Sequence, residues 1–552
     1  MRPLTIALAL FSLLTGSASA QEKNINRRFI PIVLHGSQLP LADLAVSEWS
    51  AFRYSAAAGQ WHAVPFQVDE VYQGKYNKRE FIDGIMDDDD ELLVMPSALG
   101  DRASAWLEDD GARMNERIEL EFIDPLNSAR AWLYLYRGAA APIPAADTAG
   151  VFEYLPAPSV TPAADTVRTH SYVLGHDANG WINYLALLGN DPVDVLDRIK
   201  FRLAGNPTTI LLGPYEINEN MLEAKDDPVT FHPGRLRAFH DERAYIDVPI
   251  TMVPKGDADY QLQYTPYSFR IELDKFGLNK STIALAGVQL LRISIDLNDR
   301  AHGMTFHSSR NKAGFEIDGQ PDAPDLTLDP ASKLHWLTAS GPNGVIILLL
   351  EMPEIPNSEV QIYYRDDAGG GTADGTEDTG DRRSNGDMGL WIRAKGRSLE
   401  TDEISLKLNA FFINEPGLDA AFGDTLVAWE LNPLELQARL QSWTPARVSE
   451  FDRPVSGYRT SQAYPNPFRR EANSLQIKVD GPWNGGVLDV TVYNLLGQSV
   501  AHFRHPSPAQ KGEAIITWDG LDFGGAAAPA GTYFLRARGT GMEITRKFMI
   551  LE

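Results

Sequence analysis

The feature that most constrains this chain is a period of two. Leu488, Val490 and Val492 alternate with Asp489, Thr491 and Tyr493, and Ala514, Ile516 and Trp518 alternate with Ile515 and Thr517. Successive side chains of an extended strand point to opposite faces, so each run predicts a half-buried strand with one apolar face. Asn494-Leu495-Leu496-Gly497-Gln498 follows the first run as a turn with a glycine that tolerates positive φ. Pro529-Ala530-Gly531 plays the same part before Thr532 to Ala537. Short strands separated by Gly, Pro and Asp turns predict a small antiparallel sandwich.

The same pattern runs through the rest of the chain. In residues 21–138, Ile30 to Leu34, Phe52 to Tyr54 and Trp61 to Val68 read as strands, with a hairpin turn at Ala57 to Gln60. Ile118 to Phe122 and Ala131 to Tyr136 read as a second hairpin around Asp124-Pro125-Leu126-Asn127. Residues 139–165 are rich in Ala and Pro and read as a linker. Residues 166–445 carry further strand-like runs at Ile199 to Leu203, Tyr245 to Val253, Ser268 to Leu273, Gln289 to Leu297, Gly344 to Glu351, Val360 to Tyr364 and Ser405 to Ile413. Helical signals are few: Pro433 to Leu440, with proline at an early position, and a short turn at Asp191 to Leu196. No strand alternates with a long helix, which argues against a parallel α/β sheet. The expected fold class is all-β: multi-domain antiparallel β-sandwiches, with a linker at 446–461 before a C-terminal immunoglobulin-like sandwich at 462–552.

That last segment carries five motifs in order: Tyr464-Pro465-Asn466-Pro467-Phe468, Val492-Tyr493-Asn494-Leu495-Leu496-Gly497-Gln498, Trp518-Asp519-Gly520, Ala530-Gly531-Thr532-Tyr533-Phe534, and Thr545-Arg546-Lys547 near the end. Together they resemble the C-terminal sorting domain of type IX secretion substrates and the related FlgD-type immunoglobulin-like module. The resemblance implies export across the outer membrane, with the type IX machinery as a partner and the outer cell surface or medium as the destination. It covers the tail alone; residues 21–445 resemble no known family.

The other end fits the same route. Arg2, an apolar run from Leu4 to Leu14 and Gly16-Ser17-Ala18-Ser19-Ala20 read as a secretory signal peptide cut after Ala20. That run is too short for a permanent membrane span, and no later stretch is longer. The net charge of −24 argues against nucleic acid as a partner, because phosphates would repel such a surface. The absence of cysteine excludes disulfides and thiolate metal sites.

Two clusters are candidates for binding. The run Asp83-Gly84-Ile85-Met86-Asp87-Asp88-Asp89-Asp90-Glu91 places carboxylates at dense intervals around a glycine. Asp83, Asp87, Asp90 and Glu91 are candidate calcium ligands, since calcium takes hard oxygen donors, and their spacing partly resembles the loops of dockerin and thrombospondin type 3 repeats. The acidic residues that should precede Asp83 are missing, and a solvated acidic turn is the alternative. The second cluster is Arg235, Arg237 and His240. Strand alternation would put both arginines on one face, able to grip an acidic polysaccharide; internal ion pairing is the alternative.

Seven of the eleven histidines fall in the middle region: His170, His176, His232, His240, His302, His307 and His335. Nothing in their spacing requires a site. The loop Asp366 to Gly389 is long and polar, and such loops are functional or mobile. There is no Gly-x-Ser-x-Gly elbow, no His-Glu-x-x-His and no phosphate loop. Three functions stay open: an extracellular binding protein with glycan as a ligand class, a carbohydrate-active enzyme (polysaccharide hydrolase or lyase) with its site in the middle region, and a structural matrix component.

Overall fold

The computed structural model describes residues 21–551 except 41–43, 73–74, 78–81, 104, 110–111, 114–115, 139–151, 157–164, 178–180, 208–212, 220–221, 225–229, 247–255, 274–279, 352–354, 371–382, 402–405, 443–458, 470–473, 484, 511 and 540–541. The expected signal peptide and most of the two expected linkers therefore lie outside the described residues. Within the first linker, Glu153–Leu155 is a strand.

The chain is an all-β protein of antiparallel sheets. Its contacts gather into two units, one of Met1–Ala105 with Leu120–Ala438, the other of Trp106–Glu119 with Arg439–Glu552. In the larger unit, two big sheets share one apolar core. The first has five strands, in the order Tyr215–Asn218, Leu196–Gly205, Val288–Leu297, Ser384–Ala394, Ser358–Asp367. The second, of ten strands, includes Ala238–Ile246, Gly256–Tyr264, Ser268–Leu273, Leu406–Ile413, Gly344–Glu351 and Leu334–Gly341 as successive neighbours. Alternation supplies the contact: Ile199, Phe201, Leu203, Leu291 and Ile295 from one sheet, and Leu262, Ile271, Leu337, Ile346 and Leu348 from the other, are all buried in that core. Smaller sheets flank it, among them Glu153–Leu155, Asp165–Arg168, Tyr172–His176, Ile182–Leu187, and the trio Ile32–His35, Glu91–Val94, Gln67–Asp69.

The N-terminal residues are threaded into this unit. Ile25 and Phe29 are buried, and the Arg27 guanidinium is held by Asp124 (2.6 and 3.0 Å) and by the carbonyl of Trp429 (3.0 Å). Both expected hairpins form: Ser55 pairs with Gln60, and Asp124 donates its N–H to Ala129 at 2.8 Å.

The smaller unit contains a sandwich of its own. Leu475–Gly481 and Gly512–Trp518 pair in one sheet; Met542–Leu551, Gly531–Gly539, Val487–Asn494 and Ser499–Pro506 follow one another in the other. Leu488, Val490, Val492, Ile516 and Trp518 meet in its core, as their alternation requires.

Three expectations are corrected. Pro433 to Leu440 is not a helix; Glu435–Ser442 is a strand in which Leu436, Ala438 and Leu440 alternate with Glu435, Gln437 and Arg439. The helix lies just before it, at Ala420–Leu431, capped by the Asp419 side chain accepting from the Ala421 N–H at 2.9 Å. Gly423 lets that helix lie against Trp336, whose indole a Cβ would strike. Asp191 to Leu196 forms no helical turn: the Asp194 carboxylate accepts from Leu185 and Leu196, and Leu196 begins a strand. Finally, the loop Asp366 to Gly389 is shorter than expected, because Ser358–Asp367 and Ser384–Ala394 extend into it as paired strands.

Candidate functional site

Asp69 and Glu91 lie directly opposite each other on neighbouring antiparallel strands. Two buried carboxylates so placed repel unless a cation separates them. Arg237 supplies it. Its Nε donates to Asp69 Oδ2 at 2.7 Å and its Nη2 to Glu91 Oε2 at 2.5 Å. Gln67 fixes the arginine's backbone, with Oε1 accepting from the N–H groups of Leu236 and Arg237 (2.6 and 3.0 Å) and Nε2 donating to the Arg237 carbonyl (2.7 Å). Gly234 leaves room for this, since a Cβ there would meet both the Arg237 carbonyl and the Gln67 amide. The guanidinium also lies 4.6 Å from the ring centre of Tyr76, which stacks on Phe239. Burial works to lower the Arg237 pKa, but Asp69 and Glu91 outweigh it and hold the cation firmly charged.

Arg235 is exposed while Arg237 is buried, so the two do not share a face. The strand begins only at Ala238; residues 233–237 form a bend, where alternation does not apply. Arg237 follows the internal-pairing alternative. Sequence reasoning missed Asp69 and Gln67, which are distant in the chain and carry no motif.

The acidic run divides in two. Asp87, Asp88 and Asp89 are exposed, while Asp90 and Glu91 turn inward. Asp90 accepts from the N–H groups of Val71 (Oδ1) and Asp87 (Oδ2), both at 2.9 Å, and burial raises its pKa against those bonds. Asp83 Oδ1 caps the Ile85 N–H at 2.8 Å, and Asp87 Oδ1 caps the Asp89 N–H at 3.0 Å. The four candidate calcium ligands are thus each engaged by the protein's own groups, Glu91 by Arg237. Among the described residues, no three carboxylates or histidines are grouped to hold a metal ion.

His240 lies in a different polar cluster. Cross-strand neighbours Asp165 and His176 join through Oδ1···Nδ1 at 2.6 Å, and His176 Nε2 meets the Tyr264 hydroxyl at 2.8 Å. Tyr154 donates to Asp165 Oδ2 at 3.1 Å and stacks on Phe231, with ring centres 4.4 Å apart. Burial works to raise Asp165, yet the His176 bond holds it below the usual carboxylate range. The His240 ring is centred 5.4 Å from that of His176. Burial first, and His176 second, push His240 down to about 4. Asp241 faces the other way and bonds to His232 Nε2 (2.8 Å) and Gln261 Nε2 (2.7 Å). Carboxylate, imidazole and phenol in line can pass a proton, but His176 and Tyr264 are at most 1 % exposed.

A third polar group was invisible in the sequence. The five-stranded sheet has a second face, opposite the core, that carries Lys200, Arg202, Arg292, Ser294, Asp296 and Asp387, all buried. Lys200 Nζ lies 2.8 Å from Asp296 and 3.7 Å from Asp387, and donates to the carbonyl of Arg383 at 2.6 Å. Arg202 pairs with Glu219, and the Arg292 guanidinium lies 4.2 Å from the ring centre of Tyr363. Burial, then Asp387, raise the Asp296 pKa well above the ordinary range, against the pull of Lys200.

In the smaller unit, pairing brings the tail motifs to one end of the sandwich. Asn494 opposes Tyr533, Gly531 opposes Ile550, Phe468 lies beside Ile550, and the Trp518 ring packs near Phe468, Tyr533 and Phe548. Asn494 Oδ1 accepts from Leu496 and Gln498, and Gly497 takes φ 79°, so the turn is built by Asn and Gly alone. Leu495 and Leu496 are then 69 % and 65 % exposed, with Tyr464 at 76 % and Phe523 at 65 %.

No helix among the described residues is long and apolar enough to cross a membrane. No family model matches the chain, and no curated protein matches it. Among solved structures, a polysaccharide lyase aligns at 5% identity over 69% of this chain and 46% of its own, with a TM-score of 0.20. PorZ, a surface component of the type-IX secretion system of Porphyromonas gingivalis, aligns at 10% identity over 71% of this chain and 51% of its own, with a TM-score of 0.13. The chain thus spans about half the length of the solved structures it matches.

Proposed function

We propose that this protein is exported by its signal peptide and C-terminal sandwich, and that it acts at the outer cell surface or beyond as a binding protein. The observation that carries the reading is the end of the tail sandwich. Folding accounts for Asn494 and Gly497 in its turn but not for the two leucines between them, left in water at 69 % and 65 % exposure. Large apolar side chains exposed in a turn that does not need them mark a surface that another protein covers. The type IX machinery is that partner.

The larger unit is the part that binds. Arg235 stays exposed three residues beyond the strand Thr230–His232, where Phe231 and Tyr154 stack and remain partly accessible. A guanidinium near aromatic faces suits an acidic polysaccharide. Binding is favoured over catalysis because the aligned imidazole and phenol of His176 and Tyr264, with His240 beside them, are enclosed.

Two measurements test the reading. In a bacterium with type IX machinery, the full chain should reach the surface or medium, and a chain lacking Gln462–Glu552 should stay behind the outer membrane. Equal export of both would remove the tail from the account. The exported protein should be retained on acidic polysaccharide without releasing new chain ends, and Arg235→Ala should weaken that retention. New chain ends would establish the enzyme reading instead.

A further inference from the structure

A lysine shut away from water calls for a reason, because burying its charge is costly. Lys200 and Asp296 are each 1 % exposed, and Asp387 is fully buried. Lys200 and Asp296 stand on one face of neighbouring antiparallel strands, Leu196–Gly205 and Val288–Leu297, one residue pair apart along the ladder. Nζ lies 2.8 Å from Asp296 Oδ2 and is steadied by the Arg383 carbonyl, to which it donates at 2.6 Å. The carboxyl is steadied too, with Oδ1 accepting from the Asn385 N–H at 3.0 Å. The register slips between Ile295 and Leu297, so Gly386 and Asp387 together oppose Asp296. That bulge aims a second carboxylate inward, 3.7 Å from Nζ. The other charges of this face are engaged elsewhere: Arg202 pairs with Glu219, and Arg292 lies over Tyr363.

We infer that Lys200 and Asp296 are a modification site, joined in the folded protein by an amide bond between Nζ and Cγ. A proton first crosses the short contact from the ammonium to Oδ2, leaving an amine beside an acid. Nζ then attacks Cγ. The new N–Cγ bond forms, the Cγ–Oδ2 bond breaks, and that oxygen leaves as water with the proton it received and a second one from the nitrogen. The ammonium's three hydrogens thus end as two in the water and one on the amide. No oxidant or co-reactant is consumed.

The surroundings favour each part of this step. The Asn385 N–H points at Oδ1, the oxygen that gains negative charge when Cγ is attacked. Asp387 accepts no hydrogen bond among the described residues and repels an ionised Asp296. Burial first, and Asp387 second, raise Asp296 against the pull of Lys200, which favours the acid form that can lose water. Packing keeps the two reacting groups in contact for as long as the fold lasts, in place of a chance encounter. Enclosure keeps out the water that would reverse the step, and the amide removes two charges from a site where they are costly. The chain has no cysteine, and an amide is a cross-link it can form without one.

The experiment takes the purified full chain, denatures it, and reads its intact mass and its proteolytic peptides by mass spectrometry. The expected result is a mass lower by one water and a branched peptide in which the Lys200 side chain carries the segment around Asp296. Lys200→Arg and Asp296→Ala should each restore the full mass. Asp296→Asn should give the same branched peptide with ammonia lost in place of water. Lys200 and Asp296 recovered only in separate linear peptides of the parent chain overturn the inference, whatever the intact mass. That reading needs no variant to fold, and it leaves the export and binding proposals standing.

Discussion

Arg237 Nη2 reaches Glu91 Oε2 across 146 positions of sequence, at 2.5 Å. The pair joins one member of the basic cluster to one member of the acidic run, and Asp69 completes it on the other side. The residues that looked most like ligand groups are here spent on each other.

Removing one partner of such a buried pair leaves an uncompensated charge. Arg237→Met should destabilise the larger unit by about 3–5 kcal/mol, read as a lowered urea midpoint. Adding Glu91→Gln to it should recover part of that loss, and strictly additive effects of the two changes would mean that the contact is not energetically coupled.

The acidic run should behave as structure. Asp90 accepts two backbone N–H groups, so Asp90→Asn should cost about 1–3 kcal/mol. The loss should be the same with calcium or with EDTA. A melting temperature that rises with calcium in the parent and not in the variant would restore the metal reading.

His240 gives a pH dependence of fixed sign. Its folded pKa, lowered to about 4, lies below the ordinary imidazole value of 6.5. The unfolded chain therefore binds the proton first as pH falls. The contribution of His240 is complete above pH 6.5 and is lost progressively down to about pH 4, amounting to about 3 kcal/mol. Unfolding curves across that range should show the slope, and His240→Phe should flatten it.

Lys200 serves two carboxylates. Lys200→Met should be severe, about 3–5 kcal/mol, because Asp296 and Asp387 would then face each other buried and unpaired. Asp387 accepts no hydrogen bond among the described residues. Asp387→Asn should therefore be neutral or stabilising, since Asp296 keeps the lysine and loses its repelling neighbour. Equal losses from the two variants would contradict this division.

In the tail, Leu495→Ser with Leu496→Ser should change stability by less than about 0.5 kcal/mol, as exposed positions do, yet reduce the surface-displayed fraction. Gly497→Ala is the control with the opposite signature: its φ of 79° requires glycine, so stability should fall by roughly 1–2 kcal/mol. Unimpaired display of the double serine variant would take the leucines out of the export account.

How much of this was legible depended on range. Strands such as Val487–Asn494 were readable because alternation is local, and the hairpin at Ser55 and Gln60 because its turn is. The helix Ala420–Leu431 was hidden, since Gly423 weakens the helical pattern and answers to Trp336, a residue far off in sequence. Lys200 and Arg202 alternate with Ile199, Phe201 and Leu203, which reads as a strand with one face in water; the fold buries both faces. Arg237 was noticed, but its partners were not, because a carboxylate signals nothing about which cation it will meet.

The thread from Arg27 to Trp429 spans 402 positions. Its consequence is one of timing. At roughly 5–20 residues per second of synthesis, about 20–80 s separate the making of the two ends of that contact. Throughout that interval the apolar strands already made have no complete core to enter. A native state whose first residues wait for its last ones therefore postpones its own completion until nearly the whole chain has been made, without any added device.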